Sequence, residues 1–316
     1  MRTKILLAAM SLVAGCTCGP TGESAATPQA PRRLKVLMIG NSFSICVLKE
    51  MPKVAASLGL ELDLCSLYIG GCSLAKHMGN VRAAEKDPSS AQYRLDWNYA
   101  SVADQASAPV ASAVLKTSAA GSHSSNIQKA LAADRWDVVT VQQASHDSWR
   151  PETYEPHGSE LVATIRRLAP QAKVWVQQTW SYTPWDGRLT KWGVSPDGMF
   201  ENLRSAYAGF AARNALGVIP MGEAVQRYRR ELPVVYGEHS NDDDVCGSLA
   251  FTQKDGRWEA KGDPFHLNAK GHYLQALVWT ASLFGADVTQ SDYLPDALKD
   301  TPERAALMRS IASGLR

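Results

Sequence analysis

The stretch Leu34–Phe43, LKVLMIGNSF, constrains the chain more than any other. Leu34, Val36, Leu37, Met38 and Ile39 form a short apolar run closed by glycine, the pattern of a parallel strand buried on both faces. Gly40-Asn41 breaks the run. From Ser44 onward, Ile45, Leu48, Met51, Val54, Ala55 and Leu58 fall on one face of a helix. A turn this sharp holds Ser42 beside backbone N–H groups that a first helical turn leaves without partners. A serine there can be a nucleophile whose developing oxyanion meets those same donors. It can equally be a plain N-cap, so the rest of the chain must decide.

Ahead of this stretch, residues 1–15 read as a signal peptide. Arg2 and Lys4 make a basic start, and Ile5 to Gly15 is apolar but too short to span a bilayer. Val13-Ala14-Gly15-Cys16 has the form of a lipobox, with small residues before a cysteine that can be lipidated. Ordinary signal cleavage nearby is the alternative. Residues 16–33 then make a tether rich in Gly, Ser, Thr, Pro and Ala. The expectation is an exported bacterial lipoprotein held to a membrane through Cys16 alone. Thr17 follows the cysteine in place of the Asp that would resemble an inner-membrane retention signal, which favours an outer-membrane, cell-surface or periplasmic location.

Residues 34–316 are expected to form one α/β domain. The chain has 33 Lys+Arg against 31 Asp+Glu, and loss of Arg2 and Lys4 makes the two signs equal. With no basic stripe, a nucleic-acid partner is not expected. Cys46, Cys65, Cys72 and Cys246 show no metal-ligand spacing; in an oxidising compartment they could form one or two disulfides, in pairings the sequence does not choose.

Strand and helix patterns then alternate. Glu61 to Ile69 reads as a second strand ending in Gly70-Gly71, Trp136 to Gln143 as a third, Lys173 to Gln178 as a fourth and Leu216 to Pro220 as a fifth. Residues 80–125, Ala/Ser-rich over most of their length, read as an insertion that could form a lid. Asn268 to Phe284 is a strong helical pattern stopped by Gly285, and Thr301-Pro302 opens a last helix. Such alternation predicts a three-layer α/β/α sandwich around a five-stranded parallel sheet.

In an open α/β sheet, ligands meet the carboxyl ends of the strands. Ser42, Gly70-Gly71 and Gln142-Gln143 all fall at such ends. Asp263-Pro264-Phe265-His266 precedes the strong helix in what reads as a loop. An Asp three residues before a His can hold Nδ1 and leave Nε2 facing outward, the acid and base of a triad.

GNS at 40–42, Gly71, a polar residue after the third strand and D-x-x-H at 263–266 resemble the four blocks of the SGNH/GDSL hydrolase superfamily. IGNSFS, GGCSLAKH, WDVVTVQQASHDSW and HLNAKGHYLQALVW are most similar to an uncharacterised branch of its secreted bacterial members. The resemblance runs from about Leu34 to Gly285. It departs at Asn41, where the superfamily has Asp, and in the third block, which lacks its asparagine.

The resemblance implies a flavodoxin-like sandwich and serine esterase chemistry without metal or organic cofactor. Ser42 would be the nucleophile, His266 the base and Asp263 its orienting acid, with the Ser42 and Gly71 amides facing the oxyanion. A further donor is expected from the end of the third strand. Gln143 is the first choice, because an amide donates at every pH; Gln142 and His146 are the others. An α/β-hydrolase is the nearest rival, but its nucleophile usually follows several strands.

Trp175, Trp180, Trp185 and Trp192 lie on and after the fourth strand, where indoles could stack on sugar rings or simply pack. The expected substrate is an acylated carbohydrate or another small ester, losing acetyl or another short acyl group. A non-catalytic glycan-binding lipoprotein, or an acyltransferase, on the same scaffold is the alternative. Asp242-Asp243-Asp244 reads as a solvated surface run rather than a calcium loop. His77 and His272 read as structural or surface residues, with His77 near enough to Gly71 to line the site.

Overall fold

In the computed structural model, which describes residues 32–99, 124–232 and 243–316, the decapeptide strand lies inside a six-stranded sheet. The strands are β1 (Arg33–Gly40), β2 (Glu61–Tyr68), β3 (Arg94–Tyr99), β4 (Val138–Val141), β5 (Lys173–Gln177) and β6 (Gly217–Ile219). Their order is β3-β2-β1-β4-β5-β6. Five run parallel, as expected, and β3 adds an antiparallel edge beside β2. β1 is buried continuously from Val36 to Gly40, and all of β4 is buried, because helices cover both faces.

On one face, α1 (Val47–Ser57) packs against α8 (Ala269–Phe284), which also touches α7 (Met221–Glu231) and α9 (Pro302–Ser313). On the other, α2 (Leu74–Lys86) meets α3 (Ile127–Ala132) and α4 (His157–Leu168), and α4 meets α6 (Pro196–Asn214). The three-layer α/β/α sandwich is therefore the fold. α8 is apolar almost all round because it lies between the sheet and three helices. Asn268 caps it through its side chain on the amides of Lys270 and Gly271, and Gly285 ends it at φ 64°.

Two elements depart from expectation. β3 falls in the stretch read as an insertion, of which residues 100–123 lie outside the described residues, as do residues 1–31, where the signal peptide of 1–15 and most of the tether of 16–33 were expected. The Asp263–His266 segment is not a loop but the end of β8 (Arg257–Leu267), which pairs antiparallel with β7 (Cys246–Lys254) in a separate ribbon. Asp243 and Asp244 are not a solvated run either. Asp243 is buried against Arg229, and Asp244 accepts from Tyr228 and pairs with Lys270 and Arg304. Among the described residues no disulfide joins Cys46, Cys65, Cys72 and Cys246 to one another, so none of the possible pairings among them is formed.

Between β2 and β4 the chain reverses its direction of travel across the sheet, and β1 and β4 are neighbours there. The crevice at that switch point, outside the strands' carboxyl ends, is where an open α/β sheet offers a site. Ser42 follows β1 at that crevice.

Candidate active site

The elbow is built by three residues around Ser42. A Cβ on Gly40 would sit 2.3 Å from Ser44 Oγ, so any side chain there would push Ser44 out of its place in the turn. Asn41, buried, accepts from the Phe43 amide at 3.0 Å through its own Oδ1. That Asx turn delays the helix: Ser44 and Ile45 donate to the Asn41 carbonyl, and regular helix begins only at Val47 rather than at Ser44. Ser42 is left partly exposed at the crest of the turn.

Ser42 Oγ lies 2.8 Å from His266 Nε2. His266 Nδ1 lies 2.5 Å from Asp263 Oδ2, and Asp263 Oδ1 accepts the amides of Phe265 and His266, each at 3.0 Å. With both carboxylate oxygens engaged, Asp263 cannot rotate without breaking three bonds. Partial burial alone would raise its pKa; the two amides and the imidazole more than offset this and hold it below the usual carboxylate range. An ionised Asp263 fixes the proton of His266 on Nδ1, which leaves Nε2 as the acceptor for the Ser42 hydroxyl.

Two sequence-expected oxyanion donors face no competitor. Among the described residues, neither the Ser42 amide nor the Gly71 amide donates a hydrogen bond. Gly71 sits at φ 60°, a left-handed conformation that glycine adopts without penalty. Asn41 Nδ2 ties the two loops together by donating to the Cys72 carbonyl at 3.0 Å.

Gln143 does not fit the part expected of it. It is fully buried; its Oε1 accepts the amides of Leu74 and Ala144, and both Nε2 hydrogens are taken by the Thr153 carbonyl and hydroxyl. Strand alternation predicted opposite faces for Gln142 and Gln143 but not which one turned inward to anchor a loop. Gln142 is buried as well, donating to Asn41 Oδ1 at 2.5 Å and accepting from Gln177 at 2.9 Å. His146 is the half-exposed one of the three, with Nε2 3.5 Å from Asp147.

The tryptophans separate into two sets. Trp180 is buried, stacked on Phe43 with centroids 4.2 Å apart, and Trp175 covers the bare Cα of Gly217; both are packing residues. Trp185 and Trp192 are half-exposed, on and beside α5 (Gly187–Trp192). Trp192 joins Trp149 and Tyr182, and the Arg188 guanidinium lies 4.2 Å from the Phe265 ring centroid and 4.4 Å from that of Tyr182. Phe265 in turn lies 4.2 Å from the His266 ring. An aromatic wall thus continues from the imidazole to the surface. Sequence reading missed Trp149 and Arg188 in it, though Trp149 closes the third-strand block WDVVTVQQASHDSW.

His77 does not reach the surface. It is fully buried, with Nδ1 2.8 Å from the Tyr93 hydroxyl and 3.5 Å from Cys72 Sγ, and burial beside Lys76 pushes its pKa down to about 3. Burial likewise lowers that of His272. Among the described residues no His, Cys, Asp and Glu cluster could hold a metal ion, and no helix is long and apolar enough to cross a membrane.

Comparison with known proteins gives these relations. The model of a family described as "Domain of unknown function (DUF4886)" matches residues 35–243. The crystal structure of a DUF4886 family protein from Bacteroides uniformis is 26% identical, covers 89% of this chain and 94% of its own, and superposes with a TM-score of 0.66. A candidate SGNH hydrolase from Slackia heliotrinireducens is 22% identical with a TM-score of 0.46, covering 79% of this chain and 99% of its own. A lipase/acylhydrolase from Enterococcus faecalis is 13% identical with a TM-score of 0.43, covering 80% and 96%. No curated protein matches.

Proposed function

The chain belongs to the DUF4886 family, an SGNH-like family, and from the geometry at its sheet edge we propose that it is a serine esterase that removes acetyl or other short acyl groups from carbohydrate outside the cytoplasm. The observation that carries the proposal is the unbroken relay from Asp263 through His266 to Ser42, at 2.5 and 2.8 Å.

In this reading Ser42 Oγ attacks the ester carbonyl while His266 Nε2 takes its proton, and ionised Asp263 stabilises the imidazolium. The carbonyl oxygen becomes an oxyanion facing the Ser42 and Gly71 amides. Collapse expels the sugar alkoxide, which receives the proton from His266. Water, activated by the same imidazole, then attacks the acyl-Ser42 ester and returns free enzyme and carboxylate. No step calls on a cofactor.

Carbohydrate is favoured by the part-exposed rings of Phe265, Trp192 and Trp149, with buried Tyr182 packed behind them. Apolar ring faces of a sugar can stack there while Arg188 meets its hydroxyls. Export and lipidation at Cys16 are supported by the residues before it. Cys16→Ser should abolish labelling by a radioactive fatty acid; undiminished labelling would contradict lipidation there.

The test is acetate release from a panel of acetylated polysaccharides by wild type and Ser42→Ala. Release that depends on Ser42 is expected. Polysaccharide binding with no Ser42-dependent release would instead favour a glycan-binding protein on this scaffold.

A further inference from the structure

Beneath Ser42 runs a chain of buried amide side chains that the triad does not include. Phe43, the residue after the nucleophile, has its carbonyl held by Gln177 Nε2 at 2.8 Å and by Gln275 Nε2 at 2.7 Å. Gln177 Nε2 also donates to Gln142 Oε1, and Gln142 Nε2 donates to Asn41 Oδ1. Asn41, the residue before the nucleophile, passes the sequence on through Nδ2 to the Cys72 carbonyl. All four side chains are essentially without solvent contact.

The direction of this chain is set at its far end. Trp279 Nε1, 2.8 Å from Gln177 Oε1, can only donate. Gln177 must therefore turn its oxygen toward α8 and its NH₂ toward Phe43 and Gln142. That choice fixes Gln142, whose NH₂ then faces Asn41 Oδ1, and Asn41, whose NH₂ then faces the loop of Gly71. Every donor meets an acceptor only in this orientation. Reversal at any one amide would set oxygen against oxygen in a dry interior, where an unmet polar group is costly.

We infer that Gln177 is a positioning residue for catalysis: through Phe43 on one side and Gln142–Asn41 on the other, it holds the backbone flanking Ser42 so that the Ser42 N–H points at the oxyanion. Trp279 is the donor that keys its orientation. Among the described residues the Ser42 amide makes no bond that would hold it, so its direction is inherited from its two neighbours. The inference rests on the esterase reading above and specifies what aligns its oxyanion hole.

Gln177→Met keeps the length of the side chain and removes its donor; Trp279→Phe leaves Gln177 in place and removes the keying N–H together with some buried ring volume, while Gln275 Nε2 still reaches Gln177 Oε1 at 3.1 Å. With an aryl acetate, both should lower kcat by on the order of ten- to a hundredfold, less than outright loss of a donor, and change KM by no more than about twofold. Hydrogen exchange read by mass spectrometry over the peptide containing residues 41–46 should quicken in both. Should Gln177→Met fail to fold, Trp279→Phe must still show the same separation of kcat from KM.

A wild-type kcat in both variants, or a loss of melting temperature alone with exchange at 41–46 unchanged, would overturn the inference. If wild type shows no Ser42-dependent turnover, the esterase reading falls by itself. Exchange at 41–46 would then still decide whether the amide chain holds the loop.

Discussion

The Trp180 indole donates to the Phe265 carbonyl at 2.8 Å while its ring stacks on Phe43. One buried side chain thus touches Phe43, the residue after Ser42, and Phe265, the residue before His266, which are 222 positions apart in sequence. Thr183 adds a second tie, its hydroxyl donating to the Pro264 carbonyl at 2.7 Å. The loop after β5 therefore sets the separation of Ser42 and His266.

It follows that Trp180→Phe, which keeps a ring against Phe43 but loses the N–H, should lower kcat several-fold with little change in KM. Trp180→Ala should in addition destabilise the protein by about 3–5 kcal/mol. Chemical denaturation beside steady-state kinetics separates the two effects.

Asn41→Asp restores the residue that the superfamily's motif carries, yet it should harm this protein. Asn41 Nδ2 donates to the Cys72 carbonyl, and a carboxylate there would set two acceptors face to face at a buried site. The expected loss is about 1–3 kcal/mol of stability, with lowered kcat as the Gly71 loop shifts. Urea unfolding measures the first and aryl acetate turnover the second.

Gln143→Ala should behave as a structural lesion. It leaves the Leu74 and Ala144 amides without acceptors, so stability should fall by about 1–3 kcal/mol. Turnover per folded molecule should drop far less than the on the order of 10²–10³ expected for an oxyanion donor. Active-site titration before kinetics corrects for any unfolded fraction.

His77 makes stability depend on acidity. Burial lowers its pKa from 6.5 to about 3, so between those values the unfolded chain binds a proton that the folded protein refuses. Its contribution is complete above about pH 6.5 and is lost as pH falls toward 3. At pH 5 the loss is about 2 kcal/mol. His77→Gln should show a smaller drop in urea midpoint between pH 7 and pH 5 than wild type; an equal drop would assign the acid sensitivity elsewhere.

Much of this was legible in the sequence because buried parallel strands and their crossover helices leave strong periodicities. The Leu34–Ile39 run, the Asn268–Gly285 helix and the Asp263/His266 spacing each map onto a structural element. β3 was passed over although Arg94-Leu95-Asp96-Trp97-Asn98-Tyr99 alternates with period two, since the Ala/Ser-rich stretch after it dominated the reading. The β7–β8 ribbon was missed because it stands apart from the main sheet. Its residues are largely exposed and lack a clear apolar face. The roles of Gln142, Gln143 and Gln177 were not legible at all. Which amide of a pair reaches a loop and which closes a network depends on partners as far as 134 positions away.

The most direct test is covalent labelling with a fluorophosphonate, followed by intact mass and peptide mapping. Serine catalysis predicts a single adduct on Ser42, absent in Ser42→Ala and formed far more slowly in His266→Ala. It also predicts an intermediate rate in Asp263→Asn, where hydrogen bonding still partly orients the ring. A folded wild-type protein that stays unlabelled, or carries the adduct on another residue, would contradict it.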